Sequence, residues 1–319
     1  MSGFEIVSQN MTGLDVEQMS LIERRFAHIS ELANELAKKL TNKASGTVFF
    51  RDPAFVSLYK KLALRDMTKK YDYPSFNENI LRSFGKRLSV MERAYLCGEI
   101  NKLCGSEDPL YYLEKSEDSE EIEADTVAYL RNYYSDEAYR KFSEELQSLQ
   151  VVYNNDFTGV CEDVYDNLVK FCILPIENTN DGVLNSFHSL ISKYELKTVM
   201  TCDVSTADGE GFTRFALLKK NVEILPTEER TTYASFLFDT SDQDSGFIDV
   251  TIADILSVAE CFGLILSKLG SHADPHDNVS VCEAVFRADG GDLAGFLCFL
   301  QMEVPFYTVL GIYSHIPEF

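Results

Sequence analysis

The sequence predicts a multi-domain chain: an α region, then an α/β domain built on a single parallel sheet, then an α+β domain of ferredoxin-like βαββαβ order. Three observations predict this. Apolar residues recur at steps of three and four from Met19 to Leu40, strand and helix patterns alternate from about Asp125 to Ile224, and the order strand-helix-strand-strand-helix-strand runs from Tyr233 to Tyr313. With 319 residues the chain is long enough for two or three such cores.

The helical region is expected over residues 1–113. Asp15 with Gln18 three positions on has the spacing of a capping box. Met19, Ile22, Phe26, Ile29, Ala33, Leu36 and Leu40 then form one stripe on a long helix suited to helix–helix packing. Asp52-Pro53 opens a second, short helix by N-cap and N1 preference, carrying Phe55, Leu58 and Leu62. A third starts near Ser75 and carries Ile80, Phe84, Leu88, Met91 and Tyr95. From Glu107 to Asp125 there are nine acidic residues and one lysine. Like charges keep such a segment extended, so residues 114–124 read as a solvated linker.

Residues 125–226 are expected to form the α/β domain. Its strands are Thr126–Leu130, Leu149–Tyr153, Phe171–Ile176, Leu196–Cys202 and Phe212–Leu218. Its helices are Asp136–Leu146, Cys161–Leu168 and the pattern of Val183, Leu184, Phe187, Leu190 and Ile191. Residues 230–319 give strand Tyr233–Asp239, helix Thr251–Phe262, strands Leu264–Leu269 and Val279–Ala288, helix Asp292–Met302 and strand Tyr307–Tyr313.

Composition narrows the function. Apolar content of 45% and charged content of 25% are ordinary for a soluble globular protein, but a net charge of −22 opposes binding to nucleic acid or an anionic membrane. It also requires a local cluster of Arg or Lys for any dianionic ligand. Met1–Asn10 shows no basic stretch followed by an apolar run, so a cytoplasmic chain is expected. Eight cysteines stand singly, without a Cys-x-x-Cys pair, and are expected to be reduced thiols. His272, Asp274, His276 and Asp277 read as a solvated turn rather than a metal site, and no cofactor is expected.

The sharpest local signal is Leu174-Pro175-Ile176-Glu177-Asn178-Thr179-Asn180-Asp181-Gly182, with Phe212-Thr213-Arg214-Phe215 after it. A buried strand here delivers Glu177, Asn178 and Thr179 to its C-terminal tip beside a helix N-terminus, where α/β sheets hold ligands. The first segment resembles the Glu-Asn-Ser-x-x-Gly motif of prephenate dehydratases, and Thr213-Arg214-Phe215 matches that family's Thr-Arg-Phe motif. Long, short and long helices ahead of this domain resemble the chorismate mutase domain. The C-terminal order, ending in Thr308-Val309-Leu310-Gly311-Ile312-Tyr313, is similar to the ACT domain, which binds phenylalanine. The chain is thus identified as a degenerate member of the bifunctional chorismate mutase–prephenate dehydratase family: a chorismate mutase-like region, a single-lobe dehydratase-like domain and an ACT-like domain.

The resemblance implies roles. Thr213 would donate the proton to the departing hydroxyl of prephenate, and Asn178, Thr179 and Arg214 would line the substrate cleft. Arg131 stands in the stretch Arg131-Asn132-Tyr133-Tyr134-Ser135, where the family has a glycine-rich turn, and would supply charge in place of lost amides. Lys43 falls near the family's catalytic mutase lysine, while Leu32, Asp15, Phe55 and Val56 occupy positions where the family has arginines and their neighbours. Arg24, Arg25, Arg51 and Arg93 read as exposed helix charges. In the ACT-like part, Gly270-Ser271-His272-Ala273 takes the place of Glu-Ser-Arg-Pro, so Ser271 alone matches the effector loop. Family members place a second lobe between the two dehydratase motifs, but residues 180–212 here number 33. No lobe fits there, so water would not be excluded from the reaction. The expected function is a catalytically impaired, small-molecule-binding or regulatory relative in phenylalanine biosynthesis, homodimeric or paired with an active paralogue. The small aromatic acids prephenate, phenylpyruvate or phenylalanine are its expected ligands. The alternatives are an active dehydratase with a reduced lobe, and a dimerisation protein with no ligand.

Overall fold

The computed structural model describes residues 16–41, 57, 59, 78–113, 125–146, 149–206, 209–225, 230–239, 250–273, 280–304 and 306–317. In chain order its helices are α1 (Val16–Thr41), α2 (Glu78–Cys104), α3 (Tyr133–Leu146), α4 (Phe157–Tyr165), α5 (Asn185–Lys193), α6 (Ile252–Cys261) and α7 (Leu293–Glu303). Its strands are β1 (Thr126–Leu130), β2 (Gln150–Asn154), β3 (Phe171–Asn178), β4 (Gly182–Val183), β5 (Lys197–Ser205), β6 (Phe212–Lys219), β7 (Thr232–Asp239), β8 (Ile265–Ala273), β9 (Ser280–Arg287) and β10 (Tyr307–Ile316). Two compact units form: Met1–Tyr112 with Thr240–Leu266 and Gly290–Tyr307, and Leu113–Asp239 with Ser267–Asp289 and Thr308–Phe319.

In the first unit α1 packs on α2. It buries Phe26, Ile29, Ala33 and Leu36, and the Phe26 ring meets Tyr95 edge-on at 4.9 Å. The predicted cap at Asp15, the short helix opened by Asp52-Pro53, and the side chains of Met19, Ile22 and Leu40 lie outside what is described. The helices of the range 230–319 belong here rather than with its strands. α7 is buried along nearly its whole length, from Leu293 to Leu300, and packs on α2. A helix apolar all round needs a partner on every side, which explains this placement. α6 also packs on α2 and is closed by a capping box between Thr251 and Asp254.

Arg25 and Arg93 are not the exposed charges expected. Arg25 grips the buried Glu92 through Nε at 2.5 Å and Nη2 at 2.8 Å. Arg93 is buried and donates from Nε to Glu303 Oε2 at 3.0 Å, while the Tyr59 hydroxyl donates to Glu303 Oε1 at 2.6 Å. Burial raises the Tyr59 pKa, with Cys97 and Glu303 adding to the effect, and keeps the phenol a donor. These partners are 67 and 210 residues away in sequence, beyond any local pattern.

The second unit is built on one sheet of order β2-β1-β3-β6-β5-β10-β7-β9-β8, with β4 paired to β3. The sheet is mixed, which corrects the expected single parallel sheet. β1 runs parallel to β2 and β3, and β10 parallel to β5, but β6 is antiparallel to both β3 and β5. The reason is the connection between β5 and β6, where Thr206 N donates to the Gly211 carbonyl at 2.8 Å. So short a link makes a hairpin, whereas a parallel pair needs a crossover of a dozen residues or more. The last four strands adopt the order β10-β7-β9-β8, in which each β-α-β crossover leaves one strand's width that the other fills.

Two apolar layers sandwich the first strands. Phe142 and Ala138 of α3 cover Val127, Ile173, Phe215 and Leu217, while Val160, Cys161 and Ile191 of α4 and α5 cover Ala128, Leu174, Ala216 and Leu218. Local chemistry starts the helices: Asn132 Oδ1 accepts from Ser135 N at 3.0 Å, and Asp156 Oδ1 from Gly159 N at 2.8 Å. The sheet also curls. Lys268 Nζ of β8 lies 3.1 Å from Glu177 Oε2 of β3, six strands away, whereas a flat sheet would separate them by about 29 Å. Among the described residues no helix is long and apolar enough to cross a membrane. Cys97, Cys161, Cys172, Cys202, Cys282 and Cys298 are buried free thiols.

Candidate functional site

The β3–β6 pair determines where the motif residues meet. After Pro175 opposite Phe215 the register slips, so that Glu177 faces Arg214 and Asn178 faces Thr213. Thr179 follows at the turn, its amide donating to the Phe212 carbonyl at 3.0 Å and its Oγ1 accepting from Phe212 N at 2.8 Å. Gly182, at φ 69°, turns the chain back as β4, opposite Asn178, ahead of α5. Asn178, Thr179, Thr213 and Arg214 therefore stand together at one end of the pair.

Their side chains are occupied with the fold. Asn178 Oδ1 accepts from Asp181 N at 2.6 Å and its Nδ2 donates to Asp181 Oδ2 at 2.9 Å, closing the turn. Arg214 donates from Nε and Nη2 to the two oxygens of Asp203 at 2.7 and 2.8 Å, a bidentate pair across β5 and β6. Its Nη1 is 3.7 Å from Glu177 Oε2, and its guanidinium lies 5.3 Å from the Phe212 ring centroid. The hydrogen bond to Asp203 leads the causes that raise the Arg214 pKa. Glu177 also receives Lys268. Thr213 is half-buried, and its hydroxyl makes no side-chain hydrogen bond among the described residues.

Arg131 is engaged elsewhere. It is exposed, 4.0 Å from Asp136 Oδ2, with its guanidinium 5.1 Å from the Tyr153 ring centroid on β2. β2 lies on the side of β1 away from β3, so these contacts draw Arg131 from the motif end. Ser271 is exposed on β8. Lys43 and Arg51 lie outside the described residues, as do the side chains of the turn from His272 to Asp277. Among the described residues no group of His, Cys, Asp and Glu is gathered for a metal.

Asp203 and His315 are the site residues that sequence reasoning missed. The His315 ring links Thr201 Oγ1, 3.0 Å from Nδ1, to Asp203 Oδ2, 3.5 Å from Nε2. A polar–apolar alternation over Thr201-Cys202-Asp203-Val204 was the available signal, since it places Thr201 and Asp203 on one face of β5. Burial holds the His315 pKa below its ordinary value; Asp203 opposes this, while Arg214, Lys141 and Arg230 reinforce it. The folded state thus favours the neutral ring. Between the lowered folded pKa and the unfolded value of about 6.5, the unfolded chain binds more protons. His315's contribution is therefore complete above about pH 6.5 and is lost as pH falls toward the folded pKa. Urea unfolding of wild type and His315→Gln from pH 5 to 7.5 should show a shallower acid-side decline in the variant; equal slopes would refute this assignment.

No family model and no curated protein matches the sequence. Among solved structures, the prephenate dehydratase of Streptococcus mutans is similar at 20% identity, with 60% of this chain and 99% of that chain covered and a TM-score of 0.47. GqqA, described as a quorum-quenching acylase, is similar at 18% identity over 59% of this chain and 94% of its own, with a TM-score of 0.45. The prephenate dehydratase of Arthrobacter aurescens in complex with L-Phe gives 13% identity over 59% and 90%, with a TM-score of 0.44.

Proposed function

We propose that this chain is a prephenate dehydratase-related protein of phenylalanine biosynthesis that does not turn prephenate over and acts as a small-molecule-binding or regulatory paralogue. The Asn178-Thr179 and Thr213-Arg214 motifs support the relationship. The state of Arg214 carries the functional reading: its fork is filled by Asp203 at 2.7 and 2.8 Å, with Glu177 alongside at 3.7 Å. The Nε–Nη2 edge is filled and a second carboxylate stands beside Nη1, so two acids already offset the one cation, and the net charge of −22 does nothing to draw a dianion in. Arg131 stands beside Asp136 and Tyr153, on the side of β1 away from β3 and β6, rather than beside Arg214. In this reading the Glu177–Arg214 and Asn178–Thr213 pairs fasten β3 to β6. Pairing with a second copy, or with an active paralogue, belongs to the same proposal.

The test is direct. Purified protein incubated with prephenate should form phenylpyruvate no faster than a protein-free control. Turnover above the control that disappears in Thr213→Ala would overturn the reading and install the active-dehydratase alternative.

A further inference from the structure

A second site lies at the opposite end of the sheet, and none of the motif residues contributes to it. β3 and β5 both run antiparallel to β6, so Lys197 at the start of β5 is at the end away from Asn178 and Thr213. There a cavity of about 660 Å³ is lined by α5 and by residues of β5, β7, β9 and β10. That volume is in the usual range for a small-molecule pocket.

Its chemistry is uneven. Lys197 is half-buried and makes no ion pair among the described residues. It sits directly opposite Lys219, and Glu223 goes to Lys219 rather than to Lys197. Burial pulls the Lys197 pKa down, against a weaker opposite pull from Glu195. An ammonium so placed gains from any anion that reaches it. The apolar wall is aliphatic, with Leu237, Val281 and Leu310, and the one ring in the lining is the His188 imidazole. Glu195 and Glu283 share the lining, so a second negative charge on the ligand would be repelled.

We propose that this cavity binds a small aliphatic monocarboxylate, with its carboxylate on Lys197 and its chain against Leu237, Val281 and Leu310. Lys197 selects the anion, the aliphatic wall selects the chain, and the two glutamates select against dianions. Ser192 of α5 adds a hydroxyl donor to the same lining, whereas the Ser189 hydroxyl donates to the Asn185 carbonyl at 3.0 Å.

Octanoate is a suitable probe, titrated calorimetrically into the full-length protein. Wild type should bind it one to one, whereas 1-octanol and octyl phosphate should bind about tenfold more weakly or worse, the scale of a lost charge-assisted hydrogen bond. Lys197→Met should lose affinity by a similar factor, Lys197→Arg should keep it, and Glu283→Gln should not weaken it. In wild type, octanoate should raise the titration midpoint of the Lys197 ammonium followed by NMR, a readout that holds even if a variant fails to fold. Absence of octanoate binding, equal binding of 1-octanol or octyl phosphate, full affinity in Lys197→Met, or an unmoved Lys197 midpoint would each overturn the proposal. None of these outcomes bears on prephenate turnover, so the two readings fail separately.

Discussion

Glu303→Leu is expected to destabilise the protein by about 3–5 kcal/mol, the cost of breaking a buried ion pair by removing one partner. Glu303 accepts from Arg93 Nε at 3.0 Å and from the Tyr59 hydroxyl at 2.6 Å, and all three residues are buried. Leucine fills the space but leaves the Arg93 guanidinium with only the neutral Ser89 hydroxyl, at 2.8 Å from Nη1, and the Tyr59 phenol with only Cys97 Sγ, at 3.5 Å, in a low-dielectric setting. Arg93 Nη2 already lacks a partner among the described residues, so no spare acceptor stands ready on that side. Urea denaturation would read the loss. The double variant Arg93→Met with Glu303→Leu should recover most of it, because no uncompensated charge remains. Equal losses in the single and double variants would show that packing, not charge, sets the effect.

The second large effect is expected at Gly311→Ala, at about 3 kcal/mol, the upper end of overpacking costs. A Cβ at 311 would fall on the Thr198 carbonyl oxygen and within 2.9 Å of Thr198 Cβ. Both are part of the facing strand, and the β5–β10 register already shifts between Gly311 and Ser314. The strands must separate, and with them the junction between the first five strands and the last four. Gly270→Ala is the control, since a Cβ there meets nothing within 4 Å. Equal melting temperatures for the two variants would refute the close-approach account.

These two positions show what the sequence makes legible. Thr126–Leu130 coincides with its predicted range because alternation and length are local properties. Thr251 and Asp292, predicted to start their segments, are the N-caps of α6 and α7 for the same reason. Strand direction was not legible: the antiparallel placement of β6 depends on which strand lies beside it. The partners of Arg25 and Arg93 are hidden by long sequence separation, so both arginines look like surface charges when read alone. At the motif end, Asn178 and Thr213 were recognisable by resemblance, but the acid that occupies Arg214 comes from a third strand. The curl that brings Lys268 onto Glu177 has no local signature.

The position of β10 affects how the molecule must be made. It follows every other described strand in sequence, yet it lies between β5 and β7 in the interior of the sheet. During synthesis the strands on either side emerge first, each with an unsatisfied edge where β10 will go. Until residues 307–316 leave the ribosome, neither edge can be closed by its native neighbour. The nascent chain therefore carries two open strand edges until β10 is made, and partly folded sheets with open edges are exposed to mispairing and to chaperones. Loss of residues 307–316 would remove the strand that joins the two parts of the sheet.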